Sequence, residues 1–107
     1  MDQNVRFKDK EKELIRQWKW PPEFDKSIDF TKVSLDVIKV WVERRMTELL
    51  GYEDELISNF VISLLEEEPH PDNKLDPKLM QIRITGFLED NAGVFMNELW
   101  NLLLSAQ

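Results

Sequence analysis

The sequence has few of the residues that build catalytic and metal sites: it contains no cysteine, three glycines and one histidine among 107 residues. The absence of cysteine excludes disulfides, thiolate metal sites and cysteine nucleophiles. Three scattered glycines cannot form a glycine-rich loop around phosphate groups. No apolar run reaches the roughly 20 residues that a membrane helix needs, so we expect no membrane association.

The single histidine, His70, lies between two prolines in a segment with the character of a loop. A catalytic histidine needs a nucleophile and an orienting partner, and a metal site needs several convergent ligands. Neither arrangement is visible, and the many carboxylates fall on predicted solvent-facing surfaces. We therefore expect a protein that is not an enzyme and that holds no metal and no cofactor.

The formal net charge is −7, but the charge is unevenly distributed. Residues 1–50 contain 11 lysines and arginines against 10 acidic residues, which gives +1. Residues 51–107 contain 3 against 11, which gives −8. The net charge argues against a nucleic-acid partner, because phosphate binding requires a basic surface. The distribution nevertheless leaves a basic N-terminal end to consider.

The clearest predicted helix precedes Gly51, which supplies a left-handed stop. Ser34 or Asp36 favours its N-terminal end. Its apolar residues recur at three- and four-residue steps, and further apolar residues widen the stripe, as is typical of a helix in the centre of a bundle. The stripe consists of Leu35, Ile38, Trp41, Val42, Met46 and Leu49.

Three further helices are predicted. One covers about residues 53–67, and another covers about 91–105 with Asn91 as its cap. The third begins at Asp76-Pro77; its sequence KLMQIRITGFL also alternates like a strand, but a lone strand would have no partner. Gly86 would permit a close backbone approach or begin the end of this helix. Four amphipathic helices with short connections predict an all-α four-helix bundle.

The predicted core combines residues from all four helices. Trp41 and its neighbouring valines are expected to be buried, because a tryptophan can bridge several helices of a small bundle. In the last helix, Val94 and Phe95 are expected to face inward, with Met96 and Trp100 flanking them. The principal core residues are Ile38, Trp41, Phe60, Leu64, Phe87, Phe95 and Leu99.

Residues 1–22 are predicted to form a charged N-terminal extension, and residues 23–107 the helical domain. Leu14, Ile15 and Trp18 have helical spacing, so the extension adds a short helix. Pro21 and Pro22 end this helix, because proline lacks a backbone donor and restricts the residue before it. The segment EFDKSIDFTKV that follows is predicted to be an irregular linker.

Three blocks of the sequence resemble the PWI domain in the same order and at the same spacing. They read KVSLDVIKVWVERRMTELLG, MQIRITGFL and FMNELWNLLLSAQ, and the resemblance extends from Arg6-Phe7 to Gln107. The tripeptide Pro-Trp-Ile, for which the family is named, reads Val40-Trp41-Val42 here. The tryptophan is kept, and valine in place of proline restores a backbone donor inside the helix.

The resemblance implies a four-helix core that binds RNA and DNA with little sequence preference, assisted by basic residues beside the core. It also implies a nuclear role in pre-mRNA splicing and mRNA 3′-end processing, with splicing or 3′-processing proteins as partners. A longer parent protein with an arginine-serine-rich continuation is implied as well. We expect the domain to be a monomer.

The first candidate nucleic-acid site is the basic N-terminal segment. Its cations would neutralise phosphates without reading bases, and Phe7, Trp18 and Trp20 would stack on the bases of single strands. The alternative is a solvated charged helix whose aromatic residues pack on the bundle, since acidic residues between the lysines dilute the positive charge. The cations are Arg6, Lys8, Lys10, Lys12, Arg16 and Lys19.

A second candidate site consists of Lys39, Arg44 and Arg45 on the helix around Trp41. Arginine can contact phosphate through two parallel hydrogen bonds. Ordinary ion pairs with neighbouring glutamates or with the acidic helix that follows are the favoured interpretation of these three residues.

The acidic run Glu66–Glu68 with Asp72 is either a docking surface for a basic partner or a solvated helix end. The chain as a whole therefore has two functional interpretations. The first is a nucleic-acid-binding module, and the alternative is a protein-docking module of splicing complexes with little affinity for RNA.

Overall fold

The computed structural model of this chain describes the backbone of residues 3–66 and 75–107 and the side chains of residues 10–66 and 75–107. This part of the chain contains no strand, so the predicted all-α class is confirmed. Two short 3-10 helices, Pro22–Asp25 and Phe30–Lys32, lie between the first two α-helices. The α-helices are α1 (Gln3–Gln17), α2 (Leu35–Leu50), α3 (Glu55–Glu66), α4 (Pro77–Leu88) and α5 (Asn91–Ala106).

Two helix ends follow the capping residues that the sequence provides, whereas Ser34 precedes α2 without a side-chain hydrogen bond to the helix. Gly51 ends α2 in the left-handed conformation, with φ of 83°, and its N–H donates to the Thr47 carbonyl. The Asp76 carboxylate accepts hydrogen bonds from the backbone N–H groups of Lys78 and Leu79, and Pro77 occupies the first turn of α4.

Two predictions about α4 and α5 were wrong in detail. Gly86 neither allows a close approach nor ends α4: no neighbouring atom lies within 4 Å of a Cβ built on it, and the helix continues to Leu88. Glu89, with φ of 51°, follows the last helical residue. The residue that precedes α5 is Asp90, whereas Asn91 is already helical.

The core lies where α5 meets α2 and α4. α4 packs against α5, α2 packs against α3 and α5, and α1 packs against α4. An ion pair between Lys39 near the start of α2 and Glu66 at the end of α3 shows that these two helices are antiparallel. The predicted core residues that are buried are Ile38, Leu64, Phe95 and Leu99.

The remaining predicted core residues are less buried than expected. Phe87 is 40% exposed, and its ring packs edge-on against the half-buried Phe60 at 5.2 Å between centroids. Trp41 is half-buried and stacks on Phe95 at 5.5 Å. Val40 is 64% exposed while Val42 is fully buried, because two residues along a helix turn the side chain by about 200°.

The buried tryptophan of this fold is Trp100 on α5, which the sequence pattern had placed beside the core. Trp100 is 1% exposed, and Met96 one turn earlier is fully buried. Val94, predicted to face inward, is 48% exposed. The true inward face of α5 is therefore rotated toward Met96 and Trp100.

Residues 23–33 are not the irregular linker that the sequence predicted. Phe24, Ile28 and Val33 are buried in the core. The Trp100 indole N–H donates to the carbonyls of Glu23 at 2.9 Å and Lys26 at 3.2 Å. This segment therefore packs onto α5 and connects α1 to the bundle.

Candidate nucleic-acid interface

Exposed cations lie on the outer surface of α1 and at Lys19, two residues after the helix ends. Lys12 and Arg16 lie one turn apart, so they share one side of the helix. Lys10, Lys12 and Lys19 form no ion pair with the described side chains. The exposed cations with described side chains are Lys10, Lys12, Arg16 and Lys19; Arg6 and Lys8 lie in α1, and their side chains are outside the described residues.

Arg16 is held only loosely by its neighbour. Its guanidinium lies 3.6 Å from the Glu13 carboxylate, and the two side chains are 75% and 56% exposed. An exposed pair of this kind contributes little free energy and is screened by salt. Glu13 therefore restrains the guanidinium of Arg16 only weakly.

The inner side of α1 packs on the bundle. Glu11 is buried, and its carboxylate lies 3.6 Å from the Nε of Arg83 on α4. Leu14 and Ile15 are half-buried beside it. The two interpretations of this segment are therefore compatible: one side of α1 is docked on α4, and the other side presents cations to solvent.

The aromatic residues at the end of α1 form a chain that leads into the core. The rings of Trp18 and Trp20 lie 5.5 Å apart, and Trp20 lies 6.0 Å from Phe24, which in turn meets Trp100. The Trp20 indole N–H donates to the Ile15 carbonyl at 2.8 Å. Trp20 is thus fixed by this bond, whereas half-buried Trp18 lies next to exposed Lys19.

Two cations of α2 are engaged in ion pairs. The Lys39 ammonium lies 3.1 Å from Glu66 of α3. The Arg45 guanidinium donates two hydrogen bonds to Glu98 of α5, at 2.7 and 3.2 Å. These hydrogen bonds with Glu98 raise the pKa of Arg45 above its usual range. Such a two-pronged contact is the geometry in which arginine binds carboxylates most strongly.

Arg44 is the exposed cation of α2, and it lies in an acidic environment. It lines an open groove of about 690 Å³ between α2 and the start of α3, together with five carboxylates. Carboxylates at this density repel a phosphate, so Arg44 does not present a basic surface.

The acidic run predicted as a docking surface is described only at Glu66, which pairs with Lys39. Glu67, Glu68, Asp72 and His70 lie outside the described residues. Within residues that the structure describes, no group of three or more potential ligands could hold a metal ion. Nor is any described helix both long enough and apolar enough to cross a membrane.

Two features of this surface were missed in the sequence. The first is the ion pair of Arg83 with Glu11 of α1. No sequence pattern indicates this pair, because the two residues are far apart in the chain. The groove beside Arg44 did leave a signal in the sequence, the acidic run Glu53–Glu55 shortly after the end of α2. Negative charge there also favours the first turn of the next helix, so the run does not by itself indicate a groove.

Comparison with known proteins agrees with this architecture. The family model for the PWI domain matches residues 36–107. Serine/arginine repetitive matrix protein 1 of Gallus gallus is 47% identical over 107 residues, which covers 99% of this chain. The chain spans 12% of the length of that relative. The similarity therefore includes α1 and the segment before residue 36, and the chain belongs to the PWI domain family.

Proposed function

We propose that this domain binds RNA, and DNA as well, with little sequence preference, as a nuclear module of a protein of pre-mRNA splicing and mRNA 3′-end processing. The observation that carries the proposal is the exposed set Lys10, Lys12, Arg16 and Lys19 on and after a helix whose other side is docked on α4. Cations neutralise phosphates by releasing counterions, which requires no reading of bases.

The docking of α1 supports this role. An unattached charged segment would have to become ordered when it binds, which costs conformational entropy. The contacts of Glu11 with Arg83 and the packing of Trp20 against Phe24 hold α1 before any ligand arrives. The cations then need only to contact phosphates.

Trp18 completes the proposed site. It is half-buried and directly precedes the exposed Lys19 in the chain. An aromatic ring beside a cation suits single-stranded nucleic acid, because bases stack on the ring while the phosphates meet the charge. This arrangement favours single strands over duplexes, in which the bases are already stacked.

The site that we propose leaves out Lys39, Arg44 and Arg45. Lys39 and Arg45 would have to give up carboxylate partners at 3.1 and 2.7 Å before they could bind phosphate. Arg44 lies among five carboxylates. The contribution of these residues to nucleic-acid binding is therefore expected to be small.

Fluorescence anisotropy with a labelled single-stranded RNA at several salt concentrations tests the proposal. Replacing Lys12→Gln and Arg16→Gln together should weaken binding. It should also reduce the slope of log K against log salt by about 1.4, since each phosphate contact on a single strand contributes about 0.7. Both residues are exposed, so the fold should persist. Circular dichroism verifies that α1 remains helical.

The matched control is Lys26→Gln with Lys32→Gln, which removes the same charge from exposed positions outside α1. Its salt slope should equal that of the unmodified domain. Equal losses in both double variants would contradict a site on α1 and would indicate diffuse attraction instead.

The net charge of −7 favours the second candidate function, a protein-docking module within splicing complexes with little affinity for RNA. This alternative predicts that the unmodified domain shows no salt-dependent RNA binding even at low salt. That result would replace the first proposal.

A further inference from the structure

The groove beside Arg44 is a second surface of the domain, formed by α2 and the start of α3. Its volume is about 690 Å³, and it opens to solvent. Glu43 and Glu48 come from α2, while Glu53, Asp54 and Glu55 come from the α2–α3 connection and the first residue of α3. With Arg44 as the single cation, the formal charge of the lining is −4 (one positive against five negative groups).

The protein itself leaves most of this charge uncompensated. Asp54 accepts hydrogen bonds from the backbone N–H groups of Leu56 and Ile57, and so caps α3. Glu48 lies 3.4 Å from Arg45. The other three carboxylates, Glu43, Glu53 and Glu55, form no ion pair within the described part of the chain.

A buried hydroxyl adds a second, independent feature. Ser58 of α3 is 6% exposed and lines the groove, and its hydroxyl takes part in none of the side-chain hydrogen bonds among the described residues. Because no fully buried side-chain polar atom of the described residues lacks a partner, the oxygen of Ser58 is not fully enclosed, and the groove is the space that this residue lines. Val40 of α2 also lines the groove and is 64% exposed, so it adds an apolar contact to this polar lining.

We propose that this groove docks an arginine-rich segment of a partner protein. The guanidinium groups would pair with the carboxylates, the methylene stems would lie along Val40, and the hydroxyl of Ser58 would accept one N–H. The geometry of the pairing already occurs in this molecule, where Arg45 donates two hydrogen bonds to Glu98. The inference does not depend on nucleic-acid binding by α1.

Arginine is favoured over lysine because its planar group offers five donors and can satisfy a carboxylate and a hydroxyl together. In an extended peptide, alternate side chains lie on one side. A short labelled peptide in which arginine alternates with alanine therefore presents a row of guanidinium groups and serves as the probe. The same peptide with lysine in place of arginine should bind more weakly.

The test is the affinity of this peptide for the whole chain, measured by fluorescence anisotropy. Removing two carboxylates with Glu43→Gln and Glu55→Gln should weaken binding about fivefold, from the loss of two exposed ion pairs. The matched control, Glu89→Gln with Asp90→Asn, removes the same charge at the α4–α5 turn and should bind like the unmodified chain.

Arg44→Gln is a variant that should change peptide affinity in the opposite direction. Removing the cation that the groove already contains should strengthen peptide binding about twofold to threefold. Equal weakening by the groove variant and the control, or weakening by Arg44→Gln, would overturn the proposal. Absence of peptide binding at low salt would overturn it too, whatever the outcome of the RNA experiments on α1.

Discussion

At the scale of single residues, the side chain that connects the N-terminal part of the chain to the bundle is Trp100. Its ring is buried, and its N–H reaches the carbonyls of Glu23 and Lys26 across more than 70 residues of sequence. A buried donor of this kind stabilises the fold both by filling volume and by satisfying backbone acceptors.

Replacing Trp100→Phe should lower the free energy of unfolding by about 2 kcal/mol, from lost volume and from the lost hydrogen bonds. Urea denaturation followed by circular dichroism measures this change. Trp41→Phe is the matched control and should cost about 1 kcal/mol or less, because Trp41 is only half-buried and phenylalanine can still stack on Phe95. Equal losses in the two variants would contradict the role assigned to Trp100.

The same residues show where sequence patterns reach their limit. The pattern correctly identified α2 and α5 as apolar helices, but their apolar stripes were wide enough to fit several rotations. Trp100 is buried against Phe24, a residue from the segment that was predicted to be a linker. The choice between Trp41 and Trp100 was therefore made by tertiary contacts and not by periodicity.

At the scale of elements, two glycines have opposite effects on helix stability: Gly51 follows the last residue of α2, whereas Gly86 lies inside α4. Gly51 ends α2 at a positive φ that alanine adopts only with strain. Gly86 lies inside α4 with open space around its Cα. Glycine inside a helix costs stability relative to alanine, because it loses more backbone freedom on folding.

Gly51→Ala should therefore lower stability by about 1 kcal/mol, and Gly86→Ala should raise it by about 0.5–1 kcal/mol. For a domain of this size, each change corresponds to a few degrees in Tm, about 4–8 °C per kcal/mol. Thermal unfolding of the two variants provides the comparison. A rise in Tm for Gly51→Ala would show that α2 does not need its left-handed end.

The helical elements were largely predictable because their caps and periodicity agree. α2, α3, α4 and α5 lie within about two residues of their predicted ends. The length of α1 was not predictable from its own sequence, because α1 packs on α4 through the pair of Glu11 with Arg83, a residue far away in the chain. Residues 23–33 were missed for a related reason: Phe24, Ile28 and Val33 enter the core from short 3-10 helices and the turns beside them, which are too short to give a periodic signal.

At the scale of the whole molecule, opposite charges lie on different elements. The cations of α1 are exposed, whereas the groove between α2 and α3 has a lining charge of −4. The net charge of −7 hides this separation. Sequence alone favoured ion pairs for the cations of α2, and Lys39 does pair with Glu66 of the helix that follows. The Arg45 partner Glu98 was not predicted, because it lies 53 residues away in the chain.

Arg44→Gln distinguishes the two surfaces in one variant. If α1 binds the nucleic acid, this substitution should leave RNA affinity within about twofold, since Arg44 lies among carboxylates. The arginine-alanine peptide should bind the same variant more tightly. Anisotropy titrations with both probes measure the two affinities. A large loss of RNA binding would contradict the assignment to α1 and would indicate that the phosphates contact α2.

The central claim is that single-stranded RNA binds at α1 and not at the acidic groove between α2 and α3. Its most direct test is to map the backbone amide chemical shifts of the whole chain during a titration with single-stranded RNA in low salt. Backbone amides of residues 10–20 should shift progressively, while those of residues 43–59 should stay in place. Shifts concentrated in residues 39–45 with α1 unchanged would contradict the account, as would the absence of any shift at saturating RNA.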